Sequence, residues 1–178
     1  VEADIDLWIL FAPVKKAPTE YIIQKATELG ASKIFPIITD RTITKQINLK
    51  RMQDIAIEAS EQCERLTIPE IFELKKLKDL IESWDKKRII LYGDETIRKR
   101  DKIKFNFQNL CSKSLGAILV GPEGGFSNDE IIYLRKKPFI KPIDLGPRIL
   151  RSDTAVISTL VLWHCLNGDM KKYSQSNN

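Results

Sequence analysis

The chain has 178 residues, of which 43% are hydrophobic and 30% are charged, as in a soluble globular protein with one well-buried domain. No apolar run approaches the roughly 20 residues that a membrane-spanning helix needs, so we expect no membrane partner. The net charge of +5 leans toward a polyanionic partner, although a basic protein without a nucleic-acid ligand fits this charge equally well.

The first third of the chain has a strand–helix–strand pattern. Residues 7–12 form a continuous apolar run that is typical of a buried strand. A helix is predicted next, with Thr19 as its N-cap and Gly30 just beyond its end, and a strand follows over residues 33–38. This β-α-β beginning predicts a parallel sheet covered by helices.

The middle of the chain continues the alternation of helices and strands. An amphipathic helix is predicted over residues 49–64, a helix over 77–84 and a buried strand over 88–92. Residues 96–109 are rich in Lys and Arg and have few periodic apolar positions. Both a solvated loop and a basic arm that contacts phosphate fit this composition.

The first of two glycine loops follows a central strand predicted over residues 116–120. The loop is the motif GPEGGFS at residues 121–127, and Ser127 with Glu130 predicts a capping box at the start of the next helix. Glycine allows bare backbone to come close to a small molecule because it has no Cβ atom. A tight turn without any ligand is the alternative for such a loop.

The second glycine loop is LGPRILRSDTA at residues 145–155. A strand is predicted before it, over residues 140–145, and a helix after it, over residues 155–166. In parallel α/β sheets, ligands bind beyond the carboxyl ends of strands. We therefore expect the two loops to lie side by side and to form one cofactor site.

The loop residues narrow the choice of ligand. The lysine of a P-loop and the GxGxxG signature are both missing, and Glu123 would repel a phosphate. A carboxylate next to free backbone groups suits a cationic or neutral adenosine derivative such as S-adenosylmethionine. An apolar slot for its adenine would be formed by Leu145, Ile149 and Leu150. The residue chemistry alone does not single out this cofactor.

The cysteines and the single histidine limit other chemistry. Cys63, Cys111 and Cys165 are far apart and odd in number, so neither a disulfide framework nor a CxxC zinc pattern is predicted. Free thiols suit a reducing, cytoplasmic compartment, and Cys165 is expected to be a buried small hydrophobe. His164 lies in an apolar run, which favours helix packing over catalysis or metal binding.

Four motifs together resemble the RsmE family of SPOUT-class methyltransferases, which methylate N3 of a uridine in small-subunit (16S) ribosomal RNA. The motifs occur in order and extend the resemblance from about residue 7 to residue 166, and the combination is specific whereas GPEGG alone is not. They are EYIIQKATELGASKIFPI at residues 20–37, EASEQCER at 58–65, GPEGGFS at 121–127 and LGPRILRSDTA at 145–155.

The resemblance implies an α/β fold with a parallel sheet, helices on both faces and a C-terminal deep trefoil knot, whose loops follow residues 92, 120 and 145. It also implies S-adenosylmethionine as the cofactor, a homodimer with sites at the subunit interface, and ribosomal RNA or the assembled small subunit as the partner. Two alternatives are a SPOUT methyltransferase for a ribose 2′-hydroxyl or a tRNA base, and a non-catalytic RNA-binding assembly factor. LGPRILRSDTA argues against the first alternative, and intact glycine loops argue against the second.

The resemblance also sets the expected domain organisation. Residues 1–170 are expected to form the SPOUT domain, and residues 171–178 a polar tail. Members of the family carry an N-terminal β-barrel domain that helps to bind RNA, and this chain begins where that domain would end. Because the first residue is Val1 rather than Met, we expect the natural protein to have a further N-terminal domain.

The motif match implies specific site residues. Arg151 and Arg65 are predicted to anchor substrate or phosphate, with an ion pair to Glu61 as the alternative for Arg65. Asp153 stands where the family usually has Glu, and is predicted to orient the substrate or handle a proton, with a place near a helix N-cap as the alternative. The predicted cofactor contacts are Leu91, Tyr92, Gly93, Gly121, Pro122, Glu123, Gly125, Leu145, Gly146, Ile149 and Leu150.

Overall fold

The computed structural model describes residues 6–94, 115–168 and 170, which contain seven strands and five helices. The strands are β1 (Leu7–Phe11), β2 (Ala31–Ile38), β3 (Glu70–Ile71), β4 (Lys75–Lys76), β5 (Ile89–Gly93), β6 (Gly116–Val120) and β7 (Ile140–Ile143). The helices are α1 (Lys16–Glu28), α2 (Leu49–Gln62), α3 (Leu77–Glu82), α4 (Asn128–Arg135) and α5 (Ser152–Asn167). The predicted basic arm, the polar tail and Cys111 lie outside the described residues.

All the strand pairs are parallel, as the β-α-β pattern predicts. The sheet has the order β3-β2-β1-β6-β5-β7, and the short strand β4 pairs separately with the end of β2. The central strand β6 is buried along its whole length. Because the strands point the same way, the loops that follow them all meet at the carboxyl edge of the sheet.

Helices cover both faces of the sheet, which confirms that prediction. On one face, α1, α2 and α5 bury a core that includes Ile23, Met52 and Leu160. On the other face, α3 and α4 bury a second core around Leu80 and Leu134. No helix among the described residues has both the length and the apolar character needed to span a bilayer.

Three local predictions are wrong or shifted. Helix α1 begins at Lys16, so Thr19 is not its N-cap, and its hydroxyl instead exchanges hydrogen bonds with the backbone N–H and carbonyl of Val14 at 3.0 and 3.2 Å. Helix α2 does not extend to the predicted residue 64 but ends at Gln62, because Glu64 adopts a left-handed φ of 58°. Cys165, expected to be buried, is exposed, since it lies on the outer side of α5.

His164 packs between helices, in agreement with its interpretation as a helix-packing residue. Its side chain is buried, and its Nε2 atom lies 2.7 Å from the carbonyl oxygen of Leu29, at the end of α1. This contact attaches the last turns of α5 to α1. The histidine therefore holds the C-terminal helix in place at the edge opposite the carboxyl ends of the strands.

Helix α5 lies unusually close to β6 because the strand begins with glycine. A Cβ atom on Gly116 would lie 2.0 Å from a ring carbon of Trp163, and the ring itself is almost completely buried. No side chain can be accommodated there without moving the indole or the helix. The glycine is thus a packing requirement of the fold rather than a turn residue.

We expect Gly116→Ala to lower the free energy of unfolding by about 3 kcal/mol, at the upper end for overpacked cores, because the new methyl group overlaps the Trp163 ring. Urea denaturation measures the loss. Combining it with Trp163→Leu should give a double variant less destabilised than the sum of the single variants, since the smaller side chain makes room. Additive losses would contradict this packing account.

Candidate functional site

A pocket lies at the carboxyl edge of the sheet, beyond the ends of β5, β6 and β7. Its wall is formed by the two glycine loops together with the end of β5. The hydroxyl of Ser152 donates a hydrogen bond of 3.0 Å to the carbonyl of Gly121, so the second loop is tied directly to the first. The prediction that the two loops lie side by side is therefore confirmed.

The first glycine loop, residues 121–127, is folded around an aromatic ring. Phe126 is buried and meets the ring of Tyr92 edge to face at a centroid distance of 6.1 Å. A Cβ atom on Gly121 would lie 3.1 Å from the Phe126 ring, and Gly125 has a φ of 67°, which favours glycine. The Gly125 N–H donates to the carbonyl of Pro122 at 2.8 Å and closes the turn.

The predicted capping box is present where this loop enters α4. The Ser127 hydroxyl accepts from the Glu130 N–H, and the Glu130 carboxylate accepts from the Ser127 N–H. Glu130 is buried and also accepts a hydrogen bond of 2.9 Å from the Asp40 N–H. One carboxylate thus connects the end of the glycine loop to the beginning of the loop that follows β2.

Two residues after β2 hold the glycine loop from the side, and sequence analysis missed both. The Asp40 carboxylate accepts a hydrogen bond from the Ser127 hydroxyl. Arg41 donates to the carbonyl of Gly124 at 2.7 Å and lines the pocket. The predicted end of the second strand was a usable signal, because the loops that follow the strands of a parallel sheet all lie at one edge.

The end of β5 is fixed by a buried carboxylate. The Asp94 carboxylate accepts hydrogen bonds from the Tyr92 hydroxyl at 2.9 Å and from the Arg135 Nε at 3.0 Å. The Asp94 side chain is fully buried, whereas that of Arg135 is partly exposed. Burial, the hydrogen bond to Asp94 and the charge of Asp94 raise the pKa of Tyr92 well above its usual range. The phenol is therefore a neutral donor at physiological pH.

Eight of the eleven predicted cofactor contacts line the pocket. Leu91 does not, because alternate residues of a strand face opposite sides and its side chain belongs to the core that α1, α2 and α5 cover. Gly146 and Ile149 also lie outside it, and Ile149 is 77% exposed. The lining residues among the predicted set are Tyr92, Gly93, Gly121, Pro122, Glu123, Gly125, Leu145 and Leu150.

The predicted substrate residues are divided between two edges of the molecule. Arg151 and Asp153 flank Ser152 at the start of α5, beside the pocket, and Asp153 lies in the first turn of the helix. Arg65 follows α2, at the amino edge of the sheet, and donates to the carbonyl of Thr27 at 2.9 Å. Within one chain, the structure therefore does not bring Arg65 to the pocket.

Carboxylates dominate the charge of the pocket. Asp94, Glu123 and Asp144 line it, and Arg41 is the one cationic side chain among the described lining residues. Apolar side chains, including Leu145 and Leu150, also line the pocket. This combination suits a ligand that has a positive charge and a flat apolar part. No group of three His, Cys, Asp or Glu side chains suited to a metal ion occurs in the described parts of the chain.

Comparison with known proteins gives consistent matches. Residues 1–164 match the family model described as an RNA methyltransferase domain. The chain is 36% identical over 154 residues to the ribosomal RNA small subunit methyltransferase E of Rickettsia conorii, covering 86% of this chain and 62% of that protein. It is 34% identical over 157 residues to the protein of the same name from Mesomycoplasma hyopneumoniae, covering 85% and 66%. The chain thus spans less than two thirds of these relatives.

Solved structures share the fold. A Legionella pneumophila structure with the cofactor SAM bound is 28% identical, with a TM-score of 0.80 over 93% of this chain and 68% of that one. A ribosomal RNA small subunit methyltransferase E from Neisseria gonorrhoeae, bound to S-adenosyl methionine, has a TM-score of 0.81 at 24% identity, over 92% and 67% of the two chains. A SpoU methyltransferase from Streptomyces viridochromogenes has a TM-score of 0.53 at 14% identity, over 90% and 59%. The parallel-sheet SPOUT fold is thereby confirmed.

We expect Arg135→Gln to lower the free energy of unfolding by about 3 kcal/mol, because it removes the cation from the buried carboxylate of Asp94. Urea denaturation measures this loss. Lys136→Gln, which removes an exposed charge from the next residue, is the control and should change stability by less than about 0.5 kcal/mol. Equal losses in the two variants would show that the Asp94 contact is unimportant.

The raised pKa of Tyr92 gives an independent optical test. A raised pKa favours the neutral phenol in the folded state, so its contribution to stability is complete below the unfolded pKa near 10 and is lost as the pH rises beyond it. At pH 10.5, the tyrosinate absorbance of the folded protein should be the same for the unsubstituted chain and for Tyr92→Phe. In denaturant at this pH, the unsubstituted chain should show about three quarters of one additional tyrosinate.

Proposed function

Because the chain belongs to the RNA methyltransferase domain family, we propose that it transfers the methyl group of S-adenosylmethionine to N3 of a uridine in small-subunit ribosomal RNA. The observation that carries this proposal is the pocket shared by the two glycine loops, which the Ser152–Gly121 hydrogen bond joins. The names of the relatives support the RNA substrate, and the SAM in the Legionella structure supports the cofactor. The N3 position comes from the resemblance of the loop motifs.

The pocket residues suit S-adenosylmethionine. Glu123 and Asp144 place negative charge around a ligand whose sulfonium and amino groups are positive, whereas the charge of Asp94 is matched by Arg135. Leu145 and Leu150 offer an apolar surface for an adenine ring, next to backbone groups left accessible by the glycines. When bound, the cofactor supplies an electrophilic methyl group on its sulfonium sulfur.

The residues at the start of α5 are proposed to act on the uracil. N3 of uracil is a weakly acidic imide that becomes nucleophilic when it loses its proton. Arg151 lies beside the pocket, and its planar guanidinium suits an imide anion or a neighbouring carbonyl better than a lysine would. Asp153 is proposed to orient the base or accept the proton. The loops themselves position the reactants and exclude water.

The proposed assembly is a cytoplasmic homodimer that acts on ribosomal RNA or the assembled small subunit. The family resemblance supports the dimer, and it also supports the C-terminal knot. Arg65 contributes to the site only if a second copy presents it, because the sheet separates it from the pocket of its own chain. Sedimentation of the purified chain measures the oligomeric state directly.

Cofactor binding can be tested by calorimetry with S-adenosylmethionine and its demethylated product. We expect Gly125→Ala to weaken binding at least tenfold, because alanine is strained at a φ of 67° and the loop must shift. Gly146→Ala introduces a greater strain, at a φ of 100°, outside the pocket, so it should cost at least as much stability but less than threefold in affinity. Absence of binding to the folded, unsubstituted chain would refute the proposed cofactor.

The methylated position can be tested by nucleoside analysis of small-subunit RNA incubated with the protein and S-adenosylmethionine. We expect 3-methyluridine, and Arg151→Ala should remove most of the activity while leaving cofactor affinity and thermal stability unchanged, since Arg151 is exposed. Arg151→Lys should restore only part of the rate. A 2′-O-methylated nucleoside or a methylated guanosine would identify a different RNA position and overturn the N3 assignment.

A further inference from the structure

Two loops beside the pocket carry a group of cations that the proposed chemistry leaves unused. The loop after β1 ends in Lys15, which is followed by Lys16 at the start of α1, and the loop after β2 carries Arg41 and Lys45. All four side chains are exposed. We call these four residues the basic track.

The basic track is joined to the pocket by direct contacts. The Thr44 hydroxyl donates to the carbonyl of Val14 at 2.9 Å, so the loops after β1 and β2 are connected to each other. The Ala12 N–H donates to the carbonyl of Val120, immediately before the first glycine loop. Arg41 donates to the carbonyl of Gly124 within that loop. The track therefore leads along the carboxyl edge of the sheet to the pocket rim.

The charges of the track are not neutralised by neighbouring groups. Within the described residues, none of its four members makes an ion pair. The acidic residue in these two loops, Asp40, accepts a hydrogen bond from Ser127 on the side of the glycine loop. By contrast, Arg51 on the nearby helix α2 lies close to the carboxylates of Glu20 and Glu58.

Arg41 is the member of the basic track that lines the pocket. One of its five N–H groups donates to Gly124, and the side chain remains exposed at the rim. The other charged side chains that line the described pocket are carboxylates, which repel a polyanion. An RNA that presents a base to this pocket must therefore gain its favourable electrostatic contacts outside it.

We propose that the basic track binds the phosphodiester backbone of an RNA substrate, and that Arg41 holds the phosphate next to the nucleotide that enters the pocket. This inference rests on the proposed function and deepens it. The guanidinium fork of Arg41 matches two phosphate oxygens, while the lysines act as point charges along the strand. The backbone N–H groups and carboxylates of the pocket then remain available to bind the cofactor.

Binding of a fluorescein-labelled, 20-nucleotide, single-stranded uridine-rich RNA, followed by anisotropy at several salt concentrations, tests the track. The combined variant Lys15→Gln, Lys16→Gln and Lys45→Gln should bind at least tenfold more weakly at 100 mM salt. The slope of log affinity against log salt should fall by about 2, since each phosphate contact to a single strand contributes about 0.7. Affinity for S-adenosylmethionine, measured by calorimetry, should stay within twofold.

A matched control removes the same charge from the amino edge of the sheet. Lys86, Lys87 and Lys136 are exposed there, and their combined change to Gln alters the net charge equally. This control should keep RNA affinity within about twofold. If both triple variants lose affinity alike, the effect is one of net charge and the track is refuted. Absence of RNA binding by the unsubstituted chain also refutes the track, whereas the proposed cofactor is judged separately by calorimetry.

Arg41 is tested by Arg41→Gln and Arg41→Lys. Arg41→Gln should raise the KM for RNA at least fivefold and lower the salt slope by about 0.7. Arg41→Lys should retain the salt slope because it retains the charge. If Arg41→Gln instead weakens cofactor binding and leaves the salt slope unchanged, Arg41 serves only to position the Gly124 loop, and its phosphate contact is refuted.

Discussion

The close contact between α5 and β6 is the constraint on which the pocket depends. Helix α5 runs back along the strand, so that Trp163 meets Gly116 at its beginning and Ser152 meets Gly121 just beyond its end. The eleven residue steps from Ser152 to Trp163 rise about 16 Å, at 1.5 Å per step. The five residue steps from Gly116 to Gly121 also extend about 16 Å. The two glycine loops meet because these lengths agree.

The charged side chains at the carboxyl edge of the sheet form two zones, one acidic and one basic. The pocket contains the carboxylates of Asp94, Glu123 and Asp144, and one of these is fixed by the buried contact to Arg135. The lysines of the loops after β1 and β2 lie outside it, and Arg41 lies at its rim. A cationic small molecule and a polyanion can therefore occupy adjacent surfaces without competing for the same groups. This arrangement suits the proposed reaction, in which a sulfonium donates a methyl group to RNA.

The parts of the site that depend on neighbouring residues in the chain could be predicted. Ser127 and Glu130 are three residues apart, and the glycine loops follow apolar strands, so local chemistry was enough. Thr19 has the residue type of an N-cap, but its bonds to Val14 outside the helix are a competing use of the same hydroxyl. The bond from Arg41 to Gly124 joins residues 83 positions apart and leaves no local pattern. Such contacts follow from the strand order, which the sequence did not reveal.

The position of α5 also has a consequence for synthesis on the ribosome. Ser152 and Ala155 line the pocket, and Trp163 covers the glycine that begins the central strand. Until residue 163 has left the exit tunnel, the nascent chain has neither a closed ligand site nor a covered face on β6. An apolar strand surface of this kind attracts chaperones and other unfolded chains. A ligand that needs the closed pocket therefore binds only after vectorial folding has reached α5.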